Sequence, residues 1–130
     1  MIYLLDTDAV TKILDQNVTL LRRLRRHHAH DIGISSIVMY ELYFGAFKGR
    51  RTVRTMAYID GLEFQIIDFD GEDARTTGEI RNNLSSAGML IGRYDILIAG
   101  QALARDLTLI THNTREFSRV RGLRVEDWEA

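Results

Sequence analysis

Asp6, Glu41, Asp95 and Asn113 are the residues of this sequence best placed to do chemistry together. Asp6 directly follows the apolar run Ile2-Tyr3-Leu4-Leu5. Glu41 interrupts an apolar segment, flanked by Tyr40, Leu42, Tyr43 and Phe44. Asp95 precedes Ile96-Leu97-Ile98-Ala99-Gly100-Gln101-Ala102-Leu103-Ala104, and Asn113 closes Thr111-His112-Asn113 after a second apolar run, Leu107 to Ile110. Crowded carboxylates repel one another, and repel a phosphate, unless a cation sits among them. Asp6, Glu41 and Asp95 are suitable ligands for Mg²⁺ or Mn²⁺, since Mg²⁺ keeps several waters and two or three protein carboxylates suffice. The chemistry that such an ion serves is phosphodiester hydrolysis: neutralising the phosphate, activating a water and stabilising the leaving oxygen.

Each of the four also has an ordinary structural reading. Asp6 and Asp95 suit helix caps and first turns, where negative charge is favourable. Asn113 suits a turn. Glu41, partly buried, could be satisfied by an arginine. The chain has no cysteine, so disulfides and thiolate metal sites are excluded.

The elements that must position these residues alternate. Strands are expected at Ile2–Leu5, Ile32–Ile34, Phe64–Ile67, Leu107–Ile110 and Leu123–Val125. Helices are expected at Ala9–Asp15, Val18–His28, Ile37–Lys48, Arg51–Leu62, Gly71–Ala87, Tyr94–Arg105 and Thr114–Arg119, with Ser35-Ser36 capping the third and Gly88 stopping the fifth. Strand–helix alternation implies parallel β–α units and an α/β sheet covered on both faces, with ligands outside the carboxyl ends of the strands. There is no proline, repeat or linker, and 130 residues make one domain, 1–130. The net charge of −1 leaves the choice of partner open. No signal-peptide core or membrane-length apolar run is visible, which gives a cytoplasmic expectation.

Taken in order, several motifs resemble those of PIN-domain ribonucleases of the VapC type. They are Leu4-Leu5-Asp6-Thr7-Asp8, Ile34 to Ala46 around Glu41, Ile91-Gly92-Arg93-Tyr94-Asp95-Ile96-Leu97-Ile98-Ala99-Gly100, Leu109 to Phe117, and Gly122 to Trp128. The resemblance covers nearly the whole chain. It implies a three-layer α/β/α fold with a mainly parallel sheet, Mg²⁺- or Mn²⁺-dependent RNA hydrolysis, a homodimer and a cognate VapB antitoxin. It also makes Asp6, Glu41 and Asp95 the acids of the site. Two positions depart from the family pattern: Asp8 where asparagine is usual, and Asn113 where many members carry a fourth aspartate. The number of metal ions therefore stays open, and Glu116 reads as a helix-surface residue.

Other readings make different demands. A phosphoacceptor receiver domain would use Asp68 or Asp70 and needs a late lysine, but the only lysines are Lys12 and Lys48. A non-catalytic PIN-like module that binds RNA or antitoxin would explain the missing fourth acid. Metal chemistry alone would also permit DNA cleavage. Arg22, Arg23, Arg25, Arg26, Arg50, Arg51 and Arg54 are expected to contact RNA phosphates or to form solvated faces. Leu20, Leu21, Leu24, Tyr43, Phe44, Phe47 and Tyr58 exceed the evident needs of a small core, so some are expected at an interface. An inhibitory antitoxin tail is expected to lie along Tyr40–Phe47 and present an arginine to Glu41 or Asp95.

Overall fold

Tyr3-Leu4-Leu5 becomes the middle of a sheet because both its faces are apolar. In a computed structural model describing residues 1–130, β1 (Tyr3–Leu5) has Leu4 and Leu5 fully buried. A strand buried in this way is covered on both faces. β2 (Ile32–Ser35) pairs with one edge and β4 (Thr108–Ile110) with the other. β3 (Gln65–Ile67) lies beyond β2, and β5 (Val125–Glu126) lies beyond β4. Every pairing is parallel, and Leu4 is in register with Gly33 on one side and Leu109 on the other.

The order β3-β2-β1-β4-β5 reverses direction at β1. From β1 the chain winds outward to β3, then returns to place β4 on β1's free edge. The loops leaving β1 and β4 therefore diverge and open a crevice at the carboxyl edge of the sheet, the usual ligand position in such folds.

The helices flanking the sheet are α1 (Thr7–Leu14), α2 (Val18–Leu24), α3 (Ser36–Lys48), α4 (Thr52–Asp60), α5 (Gly71–Ser86), α6 (Arg93–Ala104) and α7 (Thr114–Phe117). Four are fastened at their starts by side chains accepting backbone N–H groups: Asp6 for α1, Asn17 for α2, Ser35 for α3 and Asp70 for α5. α5 has a capping box, with Asp73 returning a hydrogen bond to the Asp70 N–H. Asp73 is itself buried and is held by Arg105 and Gln101. Gly88, at φ +68, ends the α5 region as expected. α5 and α6 come very close at Gly100, where a Cβ would sit 1.8 Å from the Thr77 hydroxyl.

Five boundaries differ from the expectation by two residues or more; α1 starts at Thr7 rather than Ala9, and α4 ends at Asp60 rather than Leu62. α2 stops at Leu24 rather than His28, because His27 leaves the helix to stack on Trp128 at 4.8 Å and meet Tyr3 edge-on at 4.7 Å. Arg25 and Arg26 therefore lie beyond the helix. β5 begins at Val125 rather than Leu123, because Gly122 at φ +85 and a Leu123 N–H to Val120 carbonyl bond keep the chain turning. α7 ends at Phe117, two residues early, with Phe117 buried. No helix is long and apolar enough to cross a membrane.

Candidate functional site

β1 ends against the fully buried Leu5, and the next residue, Asp6, extends the ladder through its N–H to the Ile110 carbonyl at 3.1 Å. That bond places Asp6 beside the exit of β4. Its carboxylate caps α1, accepting the Ala9 N–H at 2.8 Å, so the capping reading is correct as far as it goes. Asp6 is nevertheless almost fully buried, and burial pushes its carboxyl up to about 6. Hydrogen bonds from Thr111 and Ala9 oppose that rise, while the charges of Asp8 and Asp95 add to it.

Asp95 lies in the first turn of α6, after Gly92 at the cap position. Gly92 leaves space for it, since a Cβ there would sit 2.9 Å from an Asp95 carboxylate oxygen. Burial, followed by repulsion from Glu41, Glu116 and Asp8, pushes Asp95 up to about 6. Glu41 comes from the middle of α3, where Val38, Met39, Leu42 and Ala46 bury the helix and hold it in place. Its Oε1 accepts the Thr7 hydroxyl at 2.7 Å, and no arginine pairs with it. Asp6, Asp95 and Glu41 thus converge from β1, α6 and α3.

Asn113 starts α7 but does not cap it. Its side-chain amide donates to Glu116, three residues on. This corrects the reading of Glu116 as a surface residue: the carboxylate is turned back, and its charge reaches Asp95. The i, i+3 helical spacing was the available signal. Thr111 and Thr7 were also missed. Thr111 is buried, and its hydroxyl both accepts the Asn113 N–H at 3.0 Å and bonds Asp6. Its position one residue past β4, across from Asp6, was its only signal. Asp8 is exposed at the rim.

Asp6, Glu41, Asp95 and Glu116 form no ion pair with lysine or arginine. Their repulsion is therefore unrelieved within the chain, and all their donors are oxygen. Such a set fits a hard divalent cation.

Arg51 and Arg54 line a cavity of about 420 Å³ with Glu41 and Thr7, whereas the other basic cluster lies on α2 and the turn after it. Of the residues expected to exceed the needs of the core, Phe44, Phe47 and Tyr58 are more than half exposed, whereas Leu20 is buried, Leu24 packs against the core, and Tyr43 packs inward and donates to Asp60. A second group of possible ligands, His112, Asp127 and Glu129, lies near the ends of β4 and β5, with His112 on Asp127 at 3.0 Å.

The PIN-domain family model matches residues 3–123. The chain is 37% identical to a tRNA(fMet)-specific endonuclease VapC of Shigella flexneri over 97% of both chains. It is 36% identical to ribonuclease VapC2 of Rickettsia felis over 99% of both. Among solved structures, DNA-bound VapBC from Salmonella typhimurium superposes with a TM-score of 0.92 at 35% identity, covering 98% of each chain.

Proposed function

The chain belongs to the PIN-domain family, and on that footing we propose that it is a metal-dependent endoribonuclease and the toxin half of a VapBC toxin–antitoxin pair. The observation that carries this reading is the group of unpaired carboxylates at the β1–β4 crevice, two of them pushed up to about 6.

Asp6, Glu41 and Asp95 would hold the ion, Mg²⁺ or Mn²⁺, with Glu116 beside them. When bound, such a cation supplies positive charge against the phosphate and activation of a water nucleophile. The chain's own residues prepare the site. Thr111 and the Ala9 N–H fix the Asp6 carboxylate, and Thr7 fixes one oxygen of Glu41. The other Glu41 oxygen carries no hydrogen bond, so it is free to take a proton from water or to act as a ligand. Asn113 turns Glu116 inward. That last contact favours activity over the non-catalytic alternative, because a fourth carboxylate is present despite the asparagine.

The partner is a VapB-type antitoxin, the protein paired with VapC in the Salmonella and Rickettsia structures. The exposed stripe Tyr40, Phe44 and Phe47 on α3 suits its apolar side chains, and Glu41 suits an arginine. A homodimer using other exposed apolar surface, acting on RNA in the cytoplasm as one nuclease unit over 1–130, completes the proposal.

The test is incubation of the purified chain with RNA in Mg²⁺, in chelator, and in Mg²⁺ with the neighbouring gene's product. Cleavage in the first condition alone is expected. Equal cleavage in chelator would contradict the metal role, and full activity in a saturated complex would contradict inhibition at this site.

A further inference from the structure

A cleft of about 620 Å³ lies between α5 and the first turns of α6, and the acid cluster does not use it. Phe69, Leu90 and Leu97 supply apolar walls, Arg81 comes from α5, and Arg93 and Tyr94 come from α6. Arg81 and Arg93 are exposed, and neither is ion-paired. Arg105, Arg119 and Arg124, by contrast, are tied to protein oxygens. The Arg93 guanidinium lies 5.6 Å from the centre of the Tyr94 ring. Tyr94 in turn meets Tyr40 of α3, hydroxyl to hydroxyl at 3.2 Å.

Arg93 and Tyr94 immediately precede Asp95, so the cleft adjoins the acids on the same helical turn. Unneutralised guanidiniums beside apolar and aromatic walls match a nucleotide: the forks take phosphate oxygens and the walls take a base face. The volume falls within the range of small-ligand sites, roughly 300–1,000 Å³. Gly78 leaves the α5 wall without a side chain at that point, and an added Cβ there would meet nothing within 4 Å.

We propose that the α5–α6 cleft is a nucleotide subsite for single-stranded RNA, in which Arg81 and Arg93 hold a phosphate flanking the scissile bond. This rests on the ribonuclease reading of the acid cluster. It adds the location at which substrate beyond the reacting phosphate is gripped.

The test uses Arg81→Gln, Arg93→Gln and the double variant, with a short fluorescent single-stranded RNA oligonucleotide and a dinucleotide. Both side chains are exposed, so the variants should melt like the parent. In chelator, each single variant is expected to bind the oligonucleotide about tenfold more weakly, the loss of one charge-assisted contact. Each should also flatten the salt slope by about 0.7. In Mg²⁺, KM should rise more for the oligonucleotide than for the dinucleotide, which offers no flanking phosphate. Unchanged binding and salt slope would overturn the subsite, as would equal losses on both substrates. A changed oligomeric state by light scattering would overturn it in favour of a second copy covering the cleft. Binding that depends on the two arginines, without cleavage by the parent protein, would fault the nuclease reading alone.

Discussion

Asp6 and Asp95 carry the pH dependence of this fold. Each is pushed from 3.8 to about 6, so between those values the folded chain binds more protons than the unfolded one. Stability must then fall as pH rises through that window. For Asp6 alone the effect approaches about 3 kcal/mol, and Asp95, only half-buried, adds less. Asp70 acts the other way, because the Asp73 N–H holds it below its usual value, but its contribution is lost only at more acid pH. The chelated protein should therefore melt higher near pH 5 than at about pH 7.5, and a divalent cation should narrow the gap by binding the ionised folded state. A melting temperature that is flat with pH in chelator would contradict the electrostatic account. Glu41 makes a separate prediction. Glu41→Gln keeps an acceptor for the Thr7 hydroxyl but removes the charge, so RNA cleavage should drop about a hundredfold or more with melting little changed. Single-turnover rates measure this, and a loss of less than about threefold would remove Glu41 from the chemistry.

α5 and α6 form the helix pair that sets the direction of Asp95, and two glycines there should respond in opposite ways. At Gly100 a Cβ would sit 1.8 Å from the Thr77 hydroxyl and 2.9 Å from its Cα, so backbone must move. Gly100→Ala should cost about 1–3 kcal/mol. Gly78 has open space around it, and Gly78→Ala should stabilise α5 by about 0.5–1 kcal/mol. Urea denaturation distinguishes the two, and equal shifts would contradict the packing described. Elements such as these were largely legible in the sequence. β1 and β4 announce themselves as apolar runs, and α5 by Gly71 to Ala87 with Gly88 beyond. Asp6, Glu41 and Asp95 stood out because each is a charge set against apolar neighbours. The end of α2 was not legible, since it depends on His27 meeting Trp128, a partner at the far end of the chain. Glu116 and Thr111 were missed for a related reason: each looks ordinary in its own segment and gains meaning only from Asn113 and Asp6.

At the scale of the whole molecule, the sheet order places the acids. Because β4 returns to β1's free edge, the exits of β1 and β4 lie side by side, and α3 and α6 bring Glu41 and Asp95 to the same crevice. A surface with this anionic mouth beside the exposed aromatics of α3 should be closed by a cationic, apolar segment. Phe44→Ser with Phe47→Ser should weaken antitoxin binding at least tenfold by calorimetry while leaving RNA cleavage intact, since both side chains are mostly exposed. Undiminished affinity would move the antitoxin elsewhere. The central claim, that carboxylates at this crevice cut RNA with a divalent cation, is tested most directly by comparing the parent chain with Asp6→Asn on one defined RNA, each in chelator and after Mg²⁺ is restored. The substitution keeps a side-chain oxygen to cap α1 and removes the charge. Mg²⁺-dependent cleavage is expected from the parent, and cleavage slower by about a hundredfold or more from the variant, at equal or higher melting temperature. Asp6→Asn protein that cuts RNA within about twofold of the parent rate would contradict the claim.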